Sequence, residues 1–158
     1  YRVGWISFSG DREHAMEYLH AVELLASLRL CANVPGQWAV QSALGGFQSV
    51  RQLTEPGGRL YQSRQAIIEG VAHSRFMSLQ EPEGAMYAFP SIDTSLFTDF
   101  SDQDFALELL EKKHVLIAPG SSFNVPYKNH FRLTTLPRER TMHKVFERME
   151  EVLESLAD

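Results

Sequence analysis

The stretch Asn129-His130-Phe131-Arg132-Leu133-Thr134-Thr135-Leu136-Pro137 alternates oily and polar side chains over a β-rich run and stops at a proline. That is the pattern of a strand with one buried face. Successive strand side chains leave opposite faces of a sheet, so Phe131 and Leu133 point one way and Arg132 and Thr134 the other. A lone arginine on a sheet face presents a planar fork that can grip a carboxylate through two parallel charge-assisted hydrogen bonds. The same pattern also fits a surface arginine or one half of a structural salt bridge.

Reading outward from this strand, Arg138 onward carries Met142, Val145, Met149, Val152 and Leu156 at intervals of three and four, an amphipathic helix. Before the strand, Val115-Leu116-Ile117-Ala118 reads as a short buried strand, followed by a loop through Pro119–Asn124. Ser101 with Asp104 three residues on is a capping signal; Phe105, Ala106, Leu109 and Leu110 mark the helix, and Lys112 and Lys113 close it against its dipole. Further upstream, Phe76–Leu79 and Ala85–Phe89, joined by Glu81-Pro82-Glu83-Gly84, predict an antiparallel hairpin. A helix from Leu60 to His73 precedes it, after the break at Thr54–Gly58. In the first part of the chain, Trp5, Ile6 and Phe8 predict a short strand, residues 11–29 a long amphipathic helix, Pro35–Leu44 a second helix and Phe47–Leu53 a short third. The whole is expected to be α/β, a small sheet with one helical layer.

Composition narrows the function classes. At 158 residues the chain is about one domain, and 44% hydrophobic with 11% aromatic residues marks it as folded rather than disordered. A net charge of -5, with no cluster of Lys and Arg, argues against a nucleic-acid surface. Cys31 is the only cysteine, so no internal disulfide can form and a reducing, cytoplasmic setting is expected. The uncharged run Leu30–Val50 contains Asn33, Pro35, Gln37, Gln41 and Gln48, too many amides for a bilayer, so no membrane partner is expected. No signal peptide is read at the start. Tyr1–Ile6 already resembles a strand in progress, so a segment of a longer protein is expected.

Familiar chemical templates do not match. There is no His pair at i and i+4, no Cys-x-x-Cys and no His-Glu-x-x-His, so no metal site is expected. Gly120-Ser121-Ser122-Phe123 is neither a Walker loop nor a dinucleotide fingerprint and reads as a turn. Ser, His and Asp coexist without an elbow motif, and each of the six histidines reads as a surface or capping residue.

Five segments, taken in order, carry a resemblance. They are Tyr1-Arg2-Val3-Gly4-Trp5, Leu30-Cys31-Ala32-Asn33-Val34-Pro35-Gly36-Gln37, Pro56-Gly57-Gly58-Arg59-Leu60-Tyr61, Glu83-Gly84-Ala85-Met86-Tyr87-Ala88-Phe89-Pro90 and His130–Pro137. Together they resemble the C-terminal part of a class I/II pyridoxal-phosphate aminotransferase, of the bacterial alanine aminotransferase-like branch, over essentially the whole chain. The resemblance implies the small domain of a fold type I enzyme: a small mixed or antiparallel sheet, helices mainly on one face, and a long connecting helix. Residues 1–35 would be the end of the large domain with that helix, and residues 36–158 the small domain.

By the same resemblance, Arg132 binds the substrate α-carboxylate and Arg2 contacts the phosphate of pyridoxal 5'-phosphate. Asn33 lies near the substrate, although it reads equally as a helix stop. The lysine that carries the cofactor in the family would fall about eight residues before the position of Arg2. No catalytic residue is therefore assigned within this chain, and Lys112, Lys113, Lys128 and Lys144 lack the expected serine-lysine context. The implied parent is a homodimer that moves an amino group between a small amino acid and a 2-oxo acid; the segment alone is expected to be inactive and not to retain the cofactor. Standing alone, it would expose an apolar flank along the 11–29 helix. Two other readings stay open: an effector-sensing domain of a transcription regulator, and another pyridoxal-phosphate reaction on the same fold, such as a C–S lyase or a decarboxylating synthase.

Overall fold

The computed structural model describes residues 2–157. They form two compact units, the first ending at Ser49 and the second starting at Val50.

In the first unit, residues 2–9 have no regular structure, so the strand expected at Trp5, Ile6 and Phe8 does not form. Trp5 and Ile6 are exposed, and among the described residues this unit holds no other strand to complete a ladder. An unpaired strand leaves its backbone N–H and C=O groups unsatisfied by protein, so the alternation alone cannot hold it. A 3₁₀ turn at Glu13–Ala15 leads into α1 (Met16–Ser27), shorter than the helix expected over 11–29. No residue of α1 is buried, and Tyr18, Leu24, Leu25 and Leu28 are exposed, which is the apolar flank anticipated for this helix. α2 (Val34–Gly45) starts at Asn33, whose side chain accepts the Gly36 N–H at 2.9 Å, with Pro35 in the first turn. Asn33 thus opens α2 as its N-cap and is not the stop of the helix before it.

α3 (Ser49–Thr54) lies at the boundary between the units. In the second unit, α4 (Arg59–His73) is followed by β1 (Met77–Ser78), β2 (Tyr87–Ala88) and β3 (Ser91–Ile92). Then come α5 (Asp102–Lys113), β4 (Ala118–Pro119), β5 (Phe131–Thr134) and α6 (Glu139–Leu156). The pairing differs from the expected hairpin. β1 pairs antiparallel with β3, whereas β2 pairs antiparallel with β5 at Tyr87↔Thr134 and Ala88↔Leu133. A bridge at Ser91↔His130, together with the Phe131 N–H donating to the Pro90 carbonyl at 3.1 Å, continues the β2–β5 ladder into β3. Residues 87–92 therefore run along β5 past a proline that donates nothing. Only their far end meets β1, because Ala88 and Ile92 must both reach the core. β4 pairs antiparallel with the other side of β5, at Ala118↔Arg132 and Pro119↔Phe131. The strand expected at Val115–Ala118 is paired only from Ala118; Val115 and Ile117 are buried, but Leu116 is 78% exposed.

The helices cover the face that bears Phe131 and Leu133. α4 contributes Ala66, Ile67 and Val71, α5 Phe105 and Leu109, and α6 Met142, Phe146, Met149, Val152 and Leu153. The buried stripe of α6 uses Phe146 and Leu153; the expected Val145 and Leu156 are only partly buried beside it. A Cβ at Gly70 would overlap the Phe146 ring, so this glycine lets α4 and α6 approach closely. Ser101 accepts the Asp104 N–H at 3.3 Å and caps α5, and Lys112 and Lys113 stand in its last turn, as expected. After β5, Arg59 Nη1 donates to the Leu136 carbonyl at 2.6 Å and Ser63 Oγ to the Pro137 carbonyl at 2.6 Å, tying the end of the arginine strand to α4.

Ala85, just before β2, takes φ 58°, in the left-handed region where a Cβ is strained by about 1–2 kcal/mol. Ala85→Gly removes that strain and returns some of it as chain entropy, so a net gain in stability of about 0.5–1 kcal/mol is expected. A urea midpoint that falls would contradict this.

Candidate functional site

The site is built on the face of β5 that the helices leave open. β5 is buried at Phe131 and Leu133 and half-buried at Arg132 and Thr134, as the alternation requires. Register then decides the neighbours. Ala118 lies across from Arg132, Tyr87 across from Thr134, and Tyr87 is therefore diagonal to Arg132 on the same face. A methyl group at 118 leaves room above the strand for the guanidinium. The Arg132 Cζ lies 4.7 Å from the centre of the Tyr87 ring and 4.6 Å from that of Phe123. Among the described residues no carboxylate pairs with Arg132, and its side chain makes no hydrogen bond to them. The salt-bridge alternative for this arginine is thus not realised. Its fork stays free for a ligand, in a groove of ≈ 580 Å³ whose wall includes Tyr87, Leu116, Ala118, Arg132 and Thr134.

A second groove of ≈ 520 Å³, lined by Tyr61, Arg64, Glu83, Met86, Tyr87 and Thr135, adjoins it through Tyr87. Its arginine is already engaged: Arg64 Nε donates to the Pro82 carbonyl at 2.7 Å, and Nη2 pairs with Glu81 at 3.2 Å. Of the two, only the groove at Arg132 offers an uncommitted cation.

Phe123 comes from a 3₁₀ turn, Gly120–Phe123, where a plain loop was expected. The turn is pinned on two sides. Asp102, 2% exposed, accepts the Ser121 N–H at 2.7 Å, and the Gly120 N–H donates to the His130 carbonyl at 2.7 Å. A Cβ at Gly120 would collide with the His130 backbone, so only glycine allows this approach. Beyond Phe123 the rings continue: Phe89 meets Phe123 edge-on at 5.9 Å, and His130 lies 5.1 Å from Phe89 and 4.1 Å from Tyr127.

Desolvation in this stack holds the His130 pKa below its ordinary value, opposed by the negative charge of Asp102. A depressed histidine pKa means that the native state binds fewer protons than the unfolded chain in acid. The stability this group contributes is complete above the unfolded value of about 6.5 and is lost as pH falls from there through the folded value. His130→Phe keeps a ring in the stack and should flatten the acid limb of a urea-midpoint profile below about pH 6.5. Superimposable profiles for the two proteins would rule His130 out as the source.

The other residues expected at a site lie elsewhere in the chain. Arg2 and Asn33 belong to the first unit and Arg132 to the second. Arg2 is exposed, makes no hydrogen bond or ion pair with a described residue, and could hold a phosphate. Asn33 has its side-chain oxygen engaged in the α2 cap. The lysines do not fit a covalent cofactor site. Lys112 and Lys113 pair with Glu108 and Glu151, and Lys128 and Lys144 are exposed. An exposed lysine lacks the desolvated pocket or adjacent base that activates such an amine. The described residues therefore fit pyridoxal phosphate only at the phosphate, through Arg2. Among them no three His, Cys, Asp or Glu side chains group as metal ligands, and no helix is long and apolar enough to cross a membrane. Tyr87 and Phe123 were not anticipated beside Arg132. Tyr87 stood in a recognised segment, but no spacing rule links positions 87, 123 and 132.

Comparison with known proteins places the chain in a family. The model for aminotransferase class I and II matches residues 1–149. Over 138 residues the chain is 45% identical to the glutamate-pyruvate aminotransferase AlaA of Escherichia coli K12, covering 87% of this chain and 34% of that protein. It is 40% identical over 149 residues to an alanine aminotransferase of Mycobacterium tuberculosis, covering 94% of this chain and 35% of that one. The chain thus spans about a third of the length of these curated relatives. A crystal structure of an aminotransferase from Escherichia coli superposes with a TM-score of 0.87 at 40% identity, over 94% of this chain and 37% of that chain. The α/β architecture implied by the resemblance, that of the fold type I enzymes, is the one found. On the family match and these relatives together, the chain belongs to the class I and II aminotransferases.

Proposed function

We propose that this chain is the substrate-carboxylate-binding part of an aminotransferase that moves an amino group between a small amino acid, such as alanine, and a 2-oxo acid, such as 2-oxoglutarate. The observation that carries the reading is the guanidinium of Arg132, set on an open sheet face without a counter-ion among the described residues. Amino acids and 2-oxo acids differ at the carbon that exchanges nitrogen and share the carboxylate beside it. A group that grips the carboxylate holds both partners in one pose, which serves a reaction run in both directions. A planar fork suits this task because two parallel N–H···O bonds fix the orientation of the acid as well as its position. The names of the relatives compared above, glutamate-pyruvate and alanine aminotransferase, support the choice of substrates.

Pyridoxal phosphate, when bound, supplies the electron sink for such chemistry. In this chain Arg2 would hold its phosphate through charge-assisted hydrogen bonds. Asn33 is a weaker candidate for the substrate side, since its cap already employs the side-chain oxygen. The amine that the reaction needs would come from sequence outside this chain, because no lysine here is placed for it. Residues 1–35 would then be the end of a large domain with a connecting helix, and residues 36–158 the small domain. The bare apolar side of α1 supports a larger parent in which that side is covered, and such a parent would be a cytoplasmic homodimer if it follows the resemblance.

The test is an amino-transfer assay on the full-length polypeptide that carries this segment, with L-alanine and 2-oxoglutarate as substrates and pyruvate and glutamate as products. The segment by itself, supplied with the same cofactor, should form neither. Release of ammonia or a thiol in place of glutamate would overturn the proposed reaction, and turnover by the segment alone would overturn the division of labour.

A further inference from the structure

We infer that Tyr87 and Phe123 are positioning residues that clamp the Arg132 guanidinium between their rings and thereby set its affinity for carboxylates; this rests on the carboxylate role proposed above. Two aromatic side chains, 46% and 38% exposed, stand on the open face of the sheet with the cation between them. The hydrophobic effect does not account for rings left this exposed. An arginine side chain has four rotatable bonds and, without a counter-ion, nothing else in the described residues to hold it. Rings that stack on the guanidinium favour one orientation and leave its N–H edge open, because the π faces attract the cation and accept no strong hydrogen bond from its fork.

The clamp is itself supported from behind. Phe123 is wedged against Phe89, and its turn hangs on the buried Asp102 carboxylate and on the Gly120–His130 contact. Tyr87 is held by the β2–β5 register. The backbone that carries each ring is thus fixed by hydrogen bonds, and Phe89 additionally braces the Phe123 ring. The entropy of ordering Arg132 is therefore spent on folding and not at the moment of binding, which raises affinity without adding a contact to the ligand.

The test uses arginine Nε–Hε NMR on the full-length polypeptide that carries this segment, with pyruvate as the probe, comparing wild type with Tyr87→Leu, Phe123→Leu and the double variant. In the absence of pyruvate, the Arg132 Nε order parameter should fall from wild type through the single variants to the double. The dissociation constant for pyruvate should rise by about fivefold for one ring and more than tenfold for both. Tyr87→Phe and Phe123→Tyr keep a ring and should restore both readouts. A purely structural role would lower the thermal midpoint of the Leu variants and leave Arg132 order and pyruvate affinity unmoved. A wild-type Arg132 signal that ignores pyruvate would defeat the carboxylate role and this inference with it. A wild-type signal that responds, with Leu variants binding equally well and equally ordered, would defeat the clamp alone.

Discussion

Arg132→Ala, made in the full-length polypeptide, is expected to raise the Michaelis constants for amino acids and for 2-oxo acids together, by roughly 30- to 150-fold. The estimate follows from the loss of a charge-assisted bidentate interaction, about 2–3 kcal/mol, at about 1.4 kcal/mol per factor of ten. The increase should be similar for alanine and for other amino acids, because the lost contact is to the part of the molecule they share. Any fall in the turnover number reports how far the carboxylate grip also orients the bond to be broken. Arg132→Lys keeps the charge but lacks the planar fork and the faces that stack on Tyr87 and Phe123, so it should recover only a small part of the loss. Unchanged Michaelis constants in Arg132→Ala would remove this residue from the site.

Phe131→Ala should have the largest effect on folding, a loss of about 3–5 kcal/mol. The neighbouring Arg132 lies on the open face of the strand, whereas Phe131 is 0% exposed and packs 5.7 Å from the ring of Phe105 on α5. Truncation to alanine removes the ring from the centre of a core built from three helices and the sheet, and the backbone on both sides cannot close in. β5 is hydrogen-bonded to β2 on one edge and to β4 on the other. A domain of ordinary stability has only about 5–15 kcal/mol in total, so the loss should be plain in a urea titration as a lower midpoint with an unchanged slope. Leu116→Ala is the control. At 78% exposed, that leucine should cost less than about 0.5 kcal/mol. A cost below about 1 kcal/mol at Phe131 would mean that the core repacks around the void and that its description is wrong.

These two expectations concern adjacent residues, and both were legible in the alternation of β5. The period of two assigns Phe131 to the core and Arg132 to the open face before any coordinate is known, since strand geometry allows nothing else. The cap at Ser101 was legible for a similar reason, being a hydrogen bond between residues three apart. The stripe of α6 was read correctly at Met142, Met149 and Val152, but Val145 was taken for its neighbour Phe146 and Leu156 for Leu153 one turn earlier, because apolar residues at these positions all suit a helix face. Packing against α4 chooses between them.

Pairing was not legible. Residues 76–79 and 85–89 looked like two arms of one hairpin, yet β2 lies against β5 and only Ser91–Ile92 reaches β1. Local sequence carries each strand's tendency to extend, but the choice of partner depends on which register buries Ala88, Ile92 and Leu133 together. The strand expected at Trp5–Phe8 failed because a strand needs a neighbour within hydrogen-bonding reach.

The chain's own residues determined its family, its α/β character, the two faces of β5 and the side from which Arg132 emerges, because each of these depends on short-range periodicity or on ordered motifs. Only the tertiary structure decided that Tyr87 and Phe123, distant from Arg132 in sequence, come to flank it, and that no carboxylate among the described residues does. Contacts between residues far apart in the chain arise from burying a shared core and satisfying the backbone at once, a condition that no local stretch can express.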